Sequence, residues 1–344
     1  MKKTSLFDRV VFVFNLFFSF LLAFSFLTPH LSARYFCFFA FLGLAIPILV
    51  VANFTFFVYW LFRRKKQLFL PLLFLVAAYF LLDPFYKFSS ASNEDDREGL
   101  TIMSFNTRNF NIHGQLDVAD VDSLIIDFLN SEDPDIICLQ ECHYSMKRSN
   151  ALQDYNYKYV DYVYGEYSGR VIQAIFSKYP ILSKQVIEFP ESSNAAIYSD
   201  ILVHGDTIRL YNFHLQSFRV IPEIETLKNE NSRKLVGRIN QAIKKQQRQS
   251  EILKDHIVAG KIPSLVVGDM NNTQFSNIYR NIKGGLQDTY LEKGKGFGKT
   301  YSLFRLPMRI DYIFADPSFE VLSHKNYEVQ FSDHYPIMAT LRLK

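Results

Sequence analysis

Hydrophobic residues are concentrated in three long runs near the N-terminus, at about residues 10–27, 35–62 and 67–82. A helix rises about 1.5 Å per residue, so roughly 18 to 20 apolar residues cross a hydrocarbon core about 30 Å thick. The three runs therefore predict about three transmembrane helices. Together they form a membrane anchor that covers residues 1–86.

Two other interpretations of these apolar runs are possible. Lys2 and Lys3 precede the first run, and the small residues Ser32 and Ala33 follow it, as in a secretory signal peptide with its cleavage site. Cleavage there would still leave the two further runs as an anchor. The second alternative is a set of buried core helices in a soluble fold, which three successive apolar runs disfavour.

Basic residues are distributed unequally around the three runs. Three of them precede the first run, and the four residues 63–66 (RRKK) separate the second run from the third, whereas the connection between the first two runs offers only Arg34. Basic residues flanking transmembrane helices are retained on the cytoplasmic side. Three crossings then place the chain after about Asp83 outside a bacterial inner membrane, in the periplasm or the extracellular space.

The pattern changes after the third run. Residues 87–98 are polar, Ser-rich and acidic, which predicts a linker. From residue 99 to residue 344, short apolar stretches alternate with segments of helical periodicity, which predicts a mixed α/β domain. Helices are predicted at residues 121–129 and 232–257, and strands at residues 100–105, 136–139, 173–176, 208–213, 264–267, 310–314 and 337–343.

Charge is also unevenly distributed along the chain. The whole chain has a formal net charge of +4, but residues 1–87 hold nine Lys or Arg and only two Asp or Glu. The remaining residues contain 29 basic and 32 acidic side chains and are therefore mildly acidic. Nucleic-acid-binding proteins usually carry a basic surface. Composition predicts no such surface over the whole domain, although a local basic groove remains compatible with it.

Polar side chains follow the predicted strands at the points where those strands end. Side chains at strand ends of a rigid sheet can converge on one cleft. Carboxylates, amides and imidazoles suit the hydrolysis of a phosphate ester, because oxygen ligands hold Mg²⁺ and a carboxylate or imidazole can move protons. Each residue alone is more often a cap or a structural hydrogen-bond partner; the residues concerned are Asn106, Glu141, His214, Asp269, Asn271, Asp311, Asp333 and His334.

These residues lie in segments that resemble the endonuclease/exonuclease/phosphatase family, whose relatives include deoxyribonuclease I, AP endonucleases, bacterial sphingomyelinases and inositol-polyphosphate phosphatases. The resemblance covers residues 99–344 and implies a four-layer α/β sandwich, with two packed mixed β-sheets and helices outside. The matching segments are SFNTRNF (104–110), PDIICLQE (134–141), AIFSKYPI (174–181), YNFHLQS (211–217), VVGDMN (266–271), RIDYIF (309–314) and SDHYPI (332–337).

The resemblance also implies a metal site. Glu141 is expected to be the principal ligand of Mg²⁺ or Mn²⁺, with Asn106 beside it and Asp333 as a second carboxylate on the metal side. Arg108 is expected to contact phosphate. AP endonucleases have Asp at that position, whereas deoxyribonuclease I and several relatives have Arg, so the sequence disfavours repair of abasic sites.

The same resemblance implies the catalytic roles. Asp269 would orient or deprotonate the attacking water, and Asn271 would hold that water or the phosphate. His214 would bind phosphate or assist the leaving group. His334 would donate to the phosphate oxygens as charge develops, and Asp311 would fix the tautomer of His334.

Three functional hypotheses remain open at this point. The first is a membrane-anchored, metal-dependent phosphodiesterase with a nuclease-type substrate. The second is the same fold acting on a phospholipid headgroup or a phosphomonoester. The third is a catalytically silent domain that binds a partner, which the complete set of catalytic residue types disfavours. The expected partners are a phosphoester substrate (nucleic acid or phospholipid) and the lipid bilayer, and no obligate protein partner is evident.

Overall fold

A computed structural model describes residues 5–35, 37–88, 99–114, 116–162, 170–218, 232–303 and 305–344. The chain forms two compact units. The first is Met1–Phe85 together with Asn272–Arg280, and the second is Tyr86–Asn271 together with Asn281–Lys344. Most of the predicted linker, residues 89–98, lies outside the described residues.

The first unit contains the apolar runs as helices α1 (Leu6–Ser25), α2 (Cys37–Arg63) and α3 (Phe69–Leu81). Residues Leu6–Ser25 and Phe38–Arg63 are long and apolar enough to cross a membrane. Helix α3 has only 13 residues, which corresponds to about 20 Å against a core of about 30 Å. Among the described residues there are therefore two helices of spanning length, and not clearly the predicted three.

Buried polar side chains join α1 to α2. The side chain of Asn15 donates to Ser19, and Ser19 donates to Asn53 on α2, over 3.0 and 2.7 Å. The indole of Trp60 donates to the Asn15 carbonyl oxygen over 3.0 Å. All four side chains are fully buried. Interhelical hydrogen bonds of this kind fix how two apolar helices pair.

Residues 272–280 belong to the first unit because polar contacts tie them to the segment between α1 and α2. Thr28 donates its hydroxyl to the carbonyl oxygen of Phe275 over 2.6 Å. Asn277 donates to the carbonyl oxygen of Pro29 over 2.8 Å. Phe275 itself is buried.

The second unit is built on two six-stranded mixed sheets. The first sheet has the order β13-β14-β1-β2-β4-β3 and the second the order β5-β6-β7-β8-β12-β9. The strands are β1 (Leu100–Asn106), β2 (Ile136–Gln140), β3 (Tyr157–Val160), β4 (Ala174–Ser177), β5 (Gln185–Glu188), β6 (Ala195–Val203), β7 (Asp206–His214), β8 (Ser264–Asp269), β9 (Gln287–Asp288), β12 (Asp311–Ala315), β13 (Phe319–Asn326) and β14 (Ile337–Leu343), and a small hairpin is formed by β10 (Tyr301–Leu303) and β11 (Leu306–Met308).

The two sheets pack face to face over one apolar core. Ile102 and Ile136 of the first sheet lie in the same buried cluster as Leu210, Val267 and Ile313 of the second. These strands are apolar almost throughout because both of their faces are covered. Burial of this shared core is the main stabilising contribution to the unit.

Helices cover the outer faces of both sheets. Helix α4 (Val121–Glu132) buries Ile125 and Leu129 against the first sheet. Helix α5 (Ser232–Ala259), predicted at residues 232–257, lies against the second sheet, where His256 contacts Tyr211 over 3.1 Å. Two short helices, α6 (Asn277–Lys283) and α7 (Thr289–Lys293), complete the α-helices of the described residues. The expected four-layer α/β sandwich is confirmed.

Candidate active site

Each sheet has one parallel strand pair at its centre, and both pairs end in the predicted polar residues. Strands β1 and β2 are parallel, with Asn106 opposite Gln140, so Glu141 follows directly. Strands β7 and β8 are also parallel, with His214 opposite Asp269. The carboxyl ends of parallel strands share one edge of a sheet, which is where ligand sites form in open sheets.

Asn106 links the two sheets at this edge. Its side-chain nitrogen donates to Oε1 of Glu141 over 3.1 Å and to Oδ2 of Asp269 over 3.0 Å. Asn106 is almost fully buried, while the Glu141 side chain remains 32% exposed. The amide thus holds a carboxylate from each sheet, and only the carboxylate of Glu141 faces outward.

Asp269 lies at the centre of the cluster and is fully buried. Oδ1 accepts the backbone N–H of Asn271 over 2.7 Å, and Oδ2 accepts the Asn271 side-chain amide over 3.1 Å. Burial, followed by the nearby charge of Asp311, raises the pKa of Asp269 to about 8. A carboxyl group with a pKa near neutrality is suited to accept a proton from water.

The tautomer of His214 is set by Asn194. The side-chain nitrogen of Asn194 donates to the carbonyl oxygen of Leu215 over 3.1 Å and therefore also faces Nδ1 of His214, 3.1 Å away, as a donor. Burial lowers the pKa of His214 despite the opposing effect of Glu141. The neutral ring then carries its proton on Nε2, which is 3.4 Å from Oδ2 of Asp269 and 3.6 Å from Oε1 of Glu141.

His334 is the charged histidine of the cluster. Burial opposes its charge, but the carboxylates of Asp311 and Asp269 prevail, and the pKa of His334 lies well above its usual range. Its Nδ1 donates to Oδ2 of Asp311 over 2.9 Å, and its Nε2 lies 3.8 Å from Oδ2 of Asp269. The Thr300 hydroxyl accepts the backbone N–H of Asp311 over 3.1 Å, which holds the backbone from which that carboxylate extends.

Arg108 and Asp333 lie at the rim of the cluster and pair with each other over 3.3 Å. Arg108 also donates its backbone N–H to Oδ1 of Asn106 over 3.0 Å. Residues 108–111 all have positive φ, between 45° and 57°. Four consecutive non-glycine residues in this region are unfavourable for L-amino acids, so tertiary contacts must hold the segment that presents Arg108.

Several residues at the site were not predicted from the sequence. Gln140 donates to Oδ1 of Asn212 over 2.7 Å, and Asn212 donates to the carbonyl oxygen of Leu139 over 3.0 Å, so a buried amide pair joins the two sheets beneath the carboxylates. Asn194 is a further such residue. Amides inside otherwise apolar strands were the available signal for Gln140 and Asn212, because buried amides need specific partners.

A hard divalent cation requires several oxygen ligands. Ligand atoms of Asp269, Asp311 and His334 lie within 4.8 Å of one another. His334 is a poor ligand there, because its Nδ1 already binds Asp311 and its ring is protonated. The partly exposed carboxylate of Glu141 beside the Asn106 amide matches the oxygen ligands of Mg²⁺ or Mn²⁺ better. In the described residues, Asp333 is connected to this site through Arg108, which pairs with Asp333 and donates its backbone N–H to Asn106.

Comparison with solved structures shows the same fold at low sequence identity. The humanized D. rerio TDP2 carrying 14 mutations superposes with a TM-score of 0.55 and 17% identity, over 71% of this chain and 98% of that chain. The human Nocturnin catalytic domain with bound sulfate gives 0.56 and 16%, over 75% and 98%. An endonuclease/exonuclease/phosphatase family protein from Bacteroides thetaiotaomicron gives 0.52 and 19%, over 71% and 97%.

Two sequence-family models match separate parts of the chain. A domain of unknown function matches residues 8–85. No curated protein matches the chain. The model of the Endonuclease/Exonuclease/phosphatase family matches residues 103–334, a range that includes every residue of the cluster from Asn106 to His334 and its supporting amides. The chain therefore belongs to the endonuclease/exonuclease/phosphatase family, whose members hydrolyse phosphoester bonds.

Proposed function

We propose that the chain is a divalent-metal-dependent phosphoesterase that hydrolyses phosphodiester bonds by attack of water. The observation that carries the proposal is the contact of Asn106 with Glu141 and Asp269 at 3.1 and 3.0 Å. It places a partly exposed oxygen ligand next to a buried carboxyl group of raised pKa. The family and fold support this chemistry.

Each side chain of the site has a separate role in the proposed reaction. Asp269 accepts the proton of the attacking water as the new P–O bond forms. His334 carries a proton on Nε2 and donates a hydrogen bond to a phosphoryl oxygen as negative charge develops there. His214 presents Nε2–H on the other side of Asp269 and donates a hydrogen bond to the departing alkoxide. The alkoxide takes a proton from solvent and leaves as an alcohol, and Asp269 returns its proton to solvent. Asn271 holds the water or the phosphate, and Arg108 contacts the phosphate.

Glu141 and Asn106, with Asp333 on the same side, would hold Mg²⁺ or Mn²⁺. The cation would supply charge stabilisation to the phosphoryl group. Asp311 holds the His334 ring in the tautomer that directs Nε2–H into the cluster, as the 2.9 Å bond to Nδ1 requires.

Two substrate classes remain candidates. A nucleic-acid phosphodiester is supported by structural likeness to D. rerio TDP2, which was solved with a single-strand DNA product. A phospholipid headgroup or a phosphomonoester is the alternative, and a phospholipid is supported by the two helices of spanning length, which would keep the domain beside a bilayer. Residues 88–344 are mildly acidic overall, so their composition does not predict the strongly basic surface that is typical of nucleic-acid-binding proteins.

The decisive experiment is an assay of the full chain, purified in detergent, with Mg²⁺ or Mn²⁺ and with EDTA. DNA, RNA, phospholipids and bis(p-nitrophenyl) phosphate serve as substrates. We expect metal-dependent turnover, and a loss of about 10²-fold or more in Asp269→Asn and in His334→Ala. His204→Ala is the matched control, because His204 lies in an exposed turn and contacts only Tyr179 among the described side chains. Absence of turnover on every substrate would favour the silent-domain hypothesis.

We further propose that the domain lies outside a bacterial inner membrane. This location requires α3 to complete a third crossing, whereas two crossings would leave the domain in the cytoplasm. A reporter active only in the periplasm, fused after Ala91, tests this point. Activity of a cytoplasm-specific reporter at the same position would reverse the topology and leave the proposed chemistry untouched.

A further inference from the structure

Two buried glutamines of α5 face the loops that carry the catalytic residues. Gln246 is fully buried and Gln249 is 2% exposed. Burying an amide is unfavourable unless its hydrogen-bonding groups find partners. Here the partners are backbone groups two residues beyond His214 and two residues beyond Asp269.

Gln246 joins the two strand ends. Its side-chain nitrogen donates to the carbonyl oxygen of Gln216 over 2.7 Å and to that of Asn271 over 3.1 Å. His214 is opposite Asp269 in the parallel strands β7 and β8. The carbonyl groups of Gln216 and Asn271 each lie two residues beyond one of these paired residues. One amide therefore sets the spacing of both exit loops.

Gln249 holds the same loop from its other side. Its side-chain oxygen accepts the backbone N–H of Gln216 over 2.9 Å, and its nitrogen donates to the Ser192 hydroxyl over 3.1 Å. Ser192 in turn accepts the backbone N–H of Asn194 over 3.1 Å, and Asn194 binds Nδ1 of His214. A continuous set of hydrogen bonds thus runs from α5 to the ring of His214.

We propose that Gln246 and Gln249 are positioning residues for catalysis, which align His214 and Asn271 with Asp269 by holding the backbone at Gln216 and Asn271. The inference rests on the proposed phosphoesterase function and adds a determinant of its rate. The hydrogen bonds described above join the two glutamines to loop backbone groups and to Ser192, rather than to the carboxylates and imidazoles of the cluster. The two glutamines act on catalysis through the backbone groups of the loops that carry the catalytic residues.

The kinetic test compares Gln246→Met and Gln249→Met with Gln247→Met in the full chain. Methionine keeps the length and volume of glutamine and removes its hydrogen bonds. Gln247 is the matched control, since it is the neighbouring buried residue and its side-chain nitrogen donates to Glu251 on the same helix over 2.8 Å. With bis(p-nitrophenyl) phosphate and Mn²⁺, we expect kcat to fall about tenfold or more in the first two variants, with KM within about twofold of wild type.

A merely structural role predicts a different result. All three variants would then lose thermal stability together and keep the wild-type kcat at temperatures well below unfolding, which would overturn the proposal. An equal loss of kcat in Gln247→Met would overturn it as well.

A readout that does not depend on turnover separates this inference from the proposed function. Nuclear magnetic resonance of histidine-labelled protein reports the ring environment of His214. We expect its signals to shift in Gln246→Met and Gln249→Met and to stay in place in Gln247→Met. Unshifted signals in all three variants would refute the positioning role, whereas shifted signals in a protein without phosphoesterase activity would refute only the proposed function.

Discussion

Nδ1 of His334 lies 2.9 Å from Oδ2 of Asp311, and both side chains are buried. The pair joins Asp311 of the second sheet to His334 in the segment before β14. Because a carboxylate stabilises the imidazolium ring, the pair keeps a proton on the nitrogen that faces Asp269. Asp311 thus controls both the orientation and the charge of His334.

Asp311→Asn should reduce kcat by about 10²-fold or more, because the amide neither stabilises the charge of His334 nor secures its tautomer. Removing that charge also lowers the pKa of His334. The residual activity should therefore decline with rising pH earlier than in wild type, which a pH–rate profile measures. Asp316→Asn is the control, since Asp316 follows the far end of the same strand and accepts the N–H of Ser318. A profile of unchanged shape would contradict the assigned role.

Glu141→Gln should weaken activation by the metal ion. Loss of the carboxylate charge is expected to raise the Mg²⁺ concentration for half-maximal activity by about tenfold or more. The measurement is a Mg²⁺ titration after EDTA treatment, supported by thermal shifts with Mn²⁺. Glu188→Gln on β5 is exposed and should behave as wild type. Equal metal dependence in both variants would exclude Glu141 as the principal ligand.

Gly268→Ala should destabilise the second unit by about 3 kcal/mol or more, through steric overlap and backbone strain together. Gly268 has a φ of +147°, and an added Cβ would lie 2.0 Å from the carbonyl oxygen of Phe213. Gly114→Ala separates the two effects, because Gly114 has a φ of +61° and open space around it. The control should lose about 1 kcal/mol. Unfolding followed by circular dichroism measures both, and equal losses would mean that β7 and β8 can separate.

His324 should make stability depend on pH. Burial lowers the pKa of His324 to about 4, and its Nδ1 contacts the Thr289 hydroxyl over 2.8 Å. The unfolded chain then binds a proton more readily than the folded one. Stability due to neutral His324 is complete above about pH 6.5 and is lost as pH falls towards 4, by about 2 kcal/mol at pH 5.

His324→Gln should remove this component of the acid sensitivity. Unfolding free energies of wild type and variant, measured in detergent at pH 7.5 and pH 5, give the difference directly. His204→Gln is the control, because it removes a histidine from an exposed turn instead of a buried one and should leave the acid sensitivity unchanged. Parallel losses in wild type and His324→Gln would show that His324 does not titrate in this range.

The central strands were predictable from the sequence because β1, β2 and β8, and the second half of β7, are largely apolar on both faces. The edge strand β5 was not predicted, since its four residues alternate only briefly and half of them are exposed. The length of α3 was also overestimated. Hydropathy continues through residues 67–82, but the chain forms a 3₁₀ turn at Lys66–Leu68 before the helix begins.

The polar ends of the strands indicated the positions of the candidate site, but not how their side chains connect. The contact between Asn106 and Asp269 joins residues 163 positions apart, and no local pattern encodes it. Gln246 and Gln249 occupy a helix whose polar residues are typical of a solvent-exposed face, so their burial depends on where the loop after β7 lies. The left-handed segment at residues 108–111 escaped prediction for the same reason, because Asn109 is held there by the carbonyl oxygen of Glu141.

The apolar core shared by the two sheets has a consequence for how the proposed activity can adapt to temperature. Asn106 and Glu141 come from one sheet, and His214 and Asp269 from the other, so sliding of the sheets by about an ångström would separate groups that must act together. Substitutions that loosen the core at Ile102 or Val267 would lower the reaction rate well before they unfold the chain. In a host that lives at low or high temperature, selection for the reaction rate would therefore act on these aliphatic side chains, which lie far from any reacting atom.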